Sequence, residues 1–288
     1  MTALPTFFII GAAKAGTTSL HYYLDQHPQI QMSATKEPHF FAGPENGIPY
    51  PPERIGSLDE YEQLFDPAFG VRGEASPSYT NAPRRQGVPE RIGELVPDAR
   101  FVYLVRDPIE RTVSHYRHAV ASGKEQRALR EALNDIADPH SYLACHSLYA
   151  TQLELYLRRF PEDRVMVVDQ AELLSNREQT LRGVFAFLAV DETFTSERFG
   201  TELWATSVRR ASPPGQATFI ARAVAPRTRW IPARVRRRAR RAYERAFWPA
   251  LDADPLDADS RGHLREFYSA DVERLRALTG KPFPSWSV

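Results

Sequence analysis

Apolar residues occur along the chain in two patterns: short unbroken runs, and stretches where they recur every three or four positions. Short runs closed by turn residues predict buried strands, and the helical period predicts amphipathic helices. Residues 7–10 (FFII) are the first run, closed by Gly11 and too short for a helix. Thr17, Thr18 and Ser19 then open a helix whose apolar positions Leu20, Tyr23 and Leu24 keep helical spacing. Ser57 and Glu60 form a capping box before LDEYEQLF, which predicts a short helix ending near Pro67. GVRGEASPSYT (70–80) predicts a short strand and a turn, and 101–105 another buried strand. Asp107 as N-cap, Pro108 at the first helical position and Glu110 as capping-box partner start the next helix. Residues 145–174 predict a long amphipathic helix followed by a strand, with Leu148, Tyr149, Leu153, Tyr156 and Phe160 as the apolar stripe. Further helices are predicted at 177–189 and at 264–280, the last with Gly280 as C-cap.

The joints between these elements carry the candidate chemistry. A strand, a turn with Gly11 and Gly16, and a helix N-terminus make an anion site, because free N–H groups and the positive dipole end converge there. Lys14 adds a formal charge. The ordinary nucleotide loop is G-x-x-x-x-G-K-[ST]; here Thr17 stands in the lysine place and the loop's lysine is Lys14. A generic glycine turn is the plain alternative. Pro38 predicts an extended backbone at Glu37, whose carboxylate would project from a strand end or loop. Taken locally, Lys36 beside Glu37 reads as an ion pair. Arg106 is predicted at the carboxyl end of a strand, where open parallel sheets bind ligands, with Ser114 on the first turns of the following helix. The alternative is an Arg106 paired with a nearby acid and a Ser114 facing solvent. His115 and His118 stand at i, i+3 with no third ligand at metal spacing, so they read as polar helix residues. Asp169, at the end of the 165–168 strand, superficially matches a magnesium-holding position. It reads better as the start of the connection into a helix at Ala171.

The arrangement G-x-x-K-x-G-T-T-S resembles the phosphosulfate loop of sulfotransferases that use 3′-phosphoadenosine 5′-phosphosulfate (PAPS). LDQHPQI (24–30) and KEPHFF (36–41) look like the Glu-bearing branch of that family, with its bacterial and heparan-sulfate-type members. A strand, R-D-P and a serine eight residues after the arginine resemble its 3′-phosphate clamp. Tyr149, LRRFP, VMVVD and FAFLAV extend the likeness, which spans about residues 6–190 with a weaker continuation at 264–280. The resemblance implies one P-loop-like α/β domain over 1–288, with a central parallel sheet flanked by helices. It places the 5′-phosphosulfate on Lys14, Ala15, Gly16, Thr17, Thr18 and Ser19, and the 3′-phosphate on Arg106 and Ser114. Arg209 and Arg210 are candidates by position alone for a basic loop closing over the nucleotide. Glu37 matches the general base, Lys14 the stabiliser of the bridging oxygen, and His39 a residue orienting site or acceptor. The reaction implied is sulfuryl transfer from PAPS, without metal, to a hydroxyl, less readily an amine, of a glycan, glycolipid or small molecule. Ala75 stands where the heparan-type enzymes have lysine, which weighs against a polyanionic acceptor.

Composition narrows this picture little. With 288 residues, 42% hydrophobic and 25% charged, the chain is an ordinary globular protein. Lysine plus arginine number 37 against 36 acids, so net charge selects no partner. The single cysteine, Cys145, allows no intrachain disulfide or thiolate cluster. No basic n-region precedes the first apolar run, and no run approaches the ~20 residues of a membrane span. The expectation is therefore a cytoplasmic protein. Residues 222–245 carry ten arginines and one acid. The segment 222–247 reads as a membrane-surface helix, a grip on an anionic acceptor, or an arginine-coated helix over the domain edge. Nothing points to nucleic acid. The rival functions are a P-loop nucleotide kinase and a catalytically silent binding protein on a nucleotide fold.

Overall fold

The computed structural model describes residues 3–43, 54–201 and 256–288. Arg209, Arg210 and the segment 222–247 lie outside the described residues. Five strands, β1 (Phe7–Gly11), β2 (Ile30–Met32), β3 (Val71–Ala75), β4 (Arg100–Val105) and β5 (Val165–Asp169), form one sheet in the order β2-β3-β1-β4-β5. Every pairing is parallel. Phe8 lies opposite Glu74 on one side and Phe101 on the other. β1 is buried along its whole length and β4 nearly so, as strands covered by helices on both faces must be. That requirement makes their sequences unbroken apolar runs.

The helices are α1 (Thr17–Leu24), α2 (Leu58–Glu62), α3 (Val88–Leu95), α4 (Pro108–Ala121), α5 (Leu129–Leu133), α6 (Tyr149–Leu157), α7 (Gln170–Ser175), α8 (Arg177–Leu188) and α9 (Ala258–Thr279). α1 buries Thr17, Leu20, Tyr23 and Leu24, the spacing seen in the sequence. At α4, Asp107 Oδ1 accepts from the backbone N–H groups of Ile109 and Glu110, both at 2.9 Å. The Glu110 side chain does not close the capping box. Arg261 of α9 reaches it at 3.3 Å instead.

Three predicted elements change. The helix expected across 145 onward is a turn of 3₁₀ helix (Cys145–Ser147) followed by the nine-residue α6. Its front is bent because Ser147 is drawn to Pro108 and Arg111, while the backbone N–H groups of Ala150 and Thr151 are capped by Asp271 of α9. α2 keeps its Ser57 cap but ends at Glu62, and α9 starts at Ala258, where Asp257 caps it. β2 is too short for its period to show in sequence.

The connection after β1 leads to β2 and β3 on one side, and that after β4 leads to β5 on the other. A crevice therefore opens between β1 and β4 at their carboxyl ends, the place where such sheets take ligands.

Candidate functional site

Two loops border this crevice. The first, residues 12–16, joins β1 to α1. Gly16 is the N-cap of α1 at φ 101°, a backbone state that glycine alone adopts without strain. Gly11 also admits no side chain, since a Cβ there would lie 2.0 Å from Thr80 Oγ1. Ala12 N–H donates to the Leu104 carbonyl at 2.6 Å, which pins the loop to β4. Ala15 is buried, Thr17 nearly so, and Thr18 and Ser19 are half-buried on the first turn.

The second border is the β4–α4 joint. Tyr149 Oη donates to the Arg106 carbonyl at 2.7 Å and receives the Arg106 N–H at 3.4 Å. Arg106 Nη1 reaches back to the Lys14 carbonyl at 3.4 Å. The Arg106 side chain therefore faces the first loop. Ser114 is 4% exposed, and its Oγ is buried with no hydrogen-bond partner among the described residues. A buried hydroxyl without a partner is costly unless something absent from the protein itself satisfies it. Neither plain alternative fits here: Arg106 is bonded to the loop, and Ser114 does not face solvent.

Sequence reasoning missed Arg111. Its side chain is fully buried, and no carboxylate pairs with it among the described residues. It donates to Ser147 Oγ and the Leu143 carbonyl, to His115 Nδ1 at 3.0 Å, and to the Ala13 carbonyl at 3.5 Å. Burial lowers its pKa, as it must for any enclosed cation. Arg106 and Arg111 thus hold consecutive loop carbonyls, Lys14 and Ala13, from behind. The one sequence signal was a second arginine five positions after Arg106, on the predicted helix that also carries Ser114.

Glu37 and His39 come from the connection after β2. Pro38 does not hold Glu37 extended as expected: Glu37 has φ 62° and His39 φ 54°. The left-handed turn sets the Glu37 carboxylate between Lys36 Nζ, which contacts Oε1, and His39 Nε2, 3.7 Å from Oε2. His39 Nδ1 is 2.7 Å from Ser78 Oγ, and its backbone N–H donates to Ser76 Oγ at 3.2 Å. The Lys36–Glu37 pair is therefore real, with the glutamate side chain 40% exposed. His21 of α1 also belongs to this neighbourhood. Its Nε2 is buried without a partner among the described residues, and burial, aided by Lys36 and opposed by Glu37, lowers its pKa to about 4. An isolated histidine on a helix gave no sign of this.

Asp169 caps α7 through the Ala171 N–H at 3.1 Å and receives Trp286 Nε1 at 3.3 Å. Both contacts are structural, in keeping with its reading as the start of a connection. Among the described residues no group of three His, Cys, Asp or Glu side chains could hold a metal ion. No described helix is long and apolar enough to cross a membrane.

Comparisons with known proteins agree with this geometry. A model of the sulfotransferase family matches residues 55–195. Mouse heparan sulfate glucosamine 3-O-sulfotransferase 3B1 is 28% identical over 204 residues, covering 68% of this chain and 49% of the relative. Human bifunctional heparan sulfate N-deacetylase/N-sulfotransferase 2 is 27% identical over 205 residues, covering 65% of this chain and 22% of the relative. The chain thus spans half or less of the length of these curated relatives. The crystal structure of a sulfotransferase from Alicyclobacillus acidocaldarius superposes with a TM-score of 0.71 at 28% identity, covering 99% of this chain and 100% of that one. With the parallel sheet, the glycine loop and the arginine–serine joint in the expected order, the chain is similar in sequence and in fold to the sulfotransferase family.

Proposed function

We propose that the protein transfers the sulfuryl group of PAPS to a hydroxyl of a glycan, glycolipid or small-molecule acceptor. The observation that carries this reading is the pair of anion sites on one crevice: the Lys14–Ser19 loop, and the β4–α4 joint with its buried, unpartnered Ser114 Oγ. A nucleoside carrying phosphate at both 5′ and 3′ positions matches two such sites. A nucleoside triphosphate needs only the first.

In this reading Lys14, the loop N–H groups of Ala15 and Gly16, and Thr17, Thr18 and Ser19 hold the 5′-phosphosulfate. Arg106 and Ser114 hold the 3′-phosphate. PAPS supplies a sulfuryl group on a good leaving group, so the protein's task is positioning and charge stabilisation. Lys14 neutralises charge growing on the bridging oxygen. Glu37 accepts the acceptor's proton, and His39, fixed by Ser78, keeps the carboxylate aimed. Arg209 and Arg210 are assigned by position to closure over the nucleotide. The domain is assigned the whole of 1–288.

The heparan-sulfate activity in the relatives' names supports a carbohydrate acceptor. Ala75 is fully buried on β3 and leaves no cation at that position, which favours a neutral or smaller acceptor over a polyanionic chain. The arginine-rich segment 222–247 is assigned to the acceptor side or to a membrane surface. Incubation with PAPS and a panel of carbohydrate, glycolipid and phenolic acceptors, followed by mass spectrometry, tests the reaction. A gain of one sulfuryl mass with release of adenosine 3′,5′-bisphosphate (PAP) is expected. PAP absent from every mixture would reject the reading.

A further inference from the structure

We infer that His115 is an additional nucleotide-binding residue: a neutral imidazole, its proton fixed on Nε2 by Arg111, that donates a hydrogen bond to the 5′-phosphate end of the nucleotide. The inference rests on the reading of the 12–19 loop as the 5′ site.

The tautomer follows from elementary chemistry. A guanidinium has N–H donors and no acceptor. Arg111 Nη1 lies 3.0 Å from His115 Nδ1, so Nδ1 must present its lone pair. A protonated ring would oppose N–H to N–H at that distance. The ring is therefore neutral with its single proton on Nε2. Burial, reinforced by the Arg111 charge and by His146, His118 and Lys14, independently holds the His115 pKa well below its ordinary value. The usual partner of a histidine Nδ1 is a carbonyl or carboxylate that accepts its proton; here a buried cation imposes the opposite tautomer.

Position follows from the same nitrogen. Arg111 Nη1 serves both His115 Nδ1 and the Ala13 carbonyl, so the ring and the loop share one anchor. The edge of the ring against Tyr142, with centroids 5.3 Å apart and planes at 87°, and the neighbouring His146 ring fix its plane. His115 itself is half-buried, and its Nε2 makes no hydrogen bond among the described residues. The N–H donor is thus next in sequence to Ser114, on a ring that shares its anchor, Arg111 Nη1, with the Ala13 carbonyl and lies within electrostatic reach of Lys14. Its neutrality matters, because it adds a directed hydrogen bond without adding to the positive charge of Lys14, Arg106 and Arg111. The same tautomer removes His115 from metal binding through either nitrogen.

The test uses the full chain, with PAP and adenosine 3′-monophosphate as probes. Loss of one hydrogen bond to a charged group corresponds to about tenfold or more in affinity. His115→Phe should weaken PAP by about that factor by calorimetry and leave adenosine 3′-monophosphate unchanged. His115→Gln, which keeps an N–H donor, should recover most of the loss. Nitrogen-15 NMR of the wild-type imidazoles should show a neutral His115 protonated at Nε2, with that N–H shifting when PAP is added. An Nδ1-protonated or cationic ring, or an Nε2–H indifferent to PAP, overturns the proposal even if the phenylalanine variant does not fold. Equal losses for the two probes, or none, also overturn it. Wild-type protein that binds no PAP removes the underlying 5′-site reading instead, and the two failures are thereby distinguished.

Discussion

Single side chains divide the site into parts that can be removed separately. On the proposed reading, Arg106→Ala takes away a charge-assisted partner of the 3′-phosphate, and such bonds are roughly twice as strong as neutral ones. Its affinity for PAP should fall at least tenfold more than its affinity for AMP, measured by calorimetry; equal losses would reject the 3′ assignment. Glu37→Gln keeps the shape of the side chain and removes its basicity. General bases contribute about 10²–10⁴-fold, so single-turnover sulfation at saturating PAPS should drop by about that factor, with PAP affinity unchanged. If the Lys36–Glu37 contact were all that Glu37 does, the change would be negligible, since a half-exposed pair is worth only about 0–1 kcal/mol. Lost PAP binding would instead make Glu37 part of the nucleotide pocket.

At the scale of elements, one acid ties several together. Asp107 caps α4 through Oδ1, while its Oδ2 accepts from the backbone N–H of Ser287 at 2.5 Å and the Ser287 hydroxyl at 2.7 Å. The segment after α9 is thus fastened to the start of the helix that carries Arg111 and Ser114. Asp107→Ala should lower stability by about 1–2 kcal/mol by denaturant unfolding, and PAP affinity with it, because Arg106 is the adjacent residue. A variant as stable as wild type would show that the cap is satisfied otherwise. The same stretch shows what was legible in the sequence. Asp107, Pro108 and the 101–105 run announce themselves because local chain sterics and capping are local rules. The loop of Gly11 to Ser19 is equally local. What escaped depends on distant partners. Arg111 is informative only through Ala13, 98 positions away, and the front of α6 only through Asp271, about 120 away. Pro38 failed as a guide to Glu37 because the tertiary contacts of His39 with Ser76 and Ser78 override a dipeptide preference.

Stability of the whole molecule is set against ionisation in its core. Glu74 on β3 is fully buried, and neither carboxylate oxygen makes a hydrogen bond of good geometry among the described residues. Burial raises its pKa to about 8, with the hydroxyls of Tyr79 and Tyr61 pulling weakly the other way. The folded state therefore keeps a proton that the unfolded chain releases near pH 4.5. Between those values folding is linked to proton uptake, and stability is lost as pH rises toward 8. Thermal unfolding should show a falling Tm from pH 5 to 8 that is flatter in Glu74→Gln; parallel slopes would mean that the carboxyl finds a partner. The left-handed backbone at Glu37 has a different consequence. A residue other than glycine or asparagine costs about 1–2 kcal/mol in that conformation. Glu37→Asn should therefore raise Tm by a few degrees while, if Glu37 is the base, lowering turnover by about the factor expected for Glu37→Gln. Selection for a more heat-resistant protein, applied without selection for activity, would erode position 37 early.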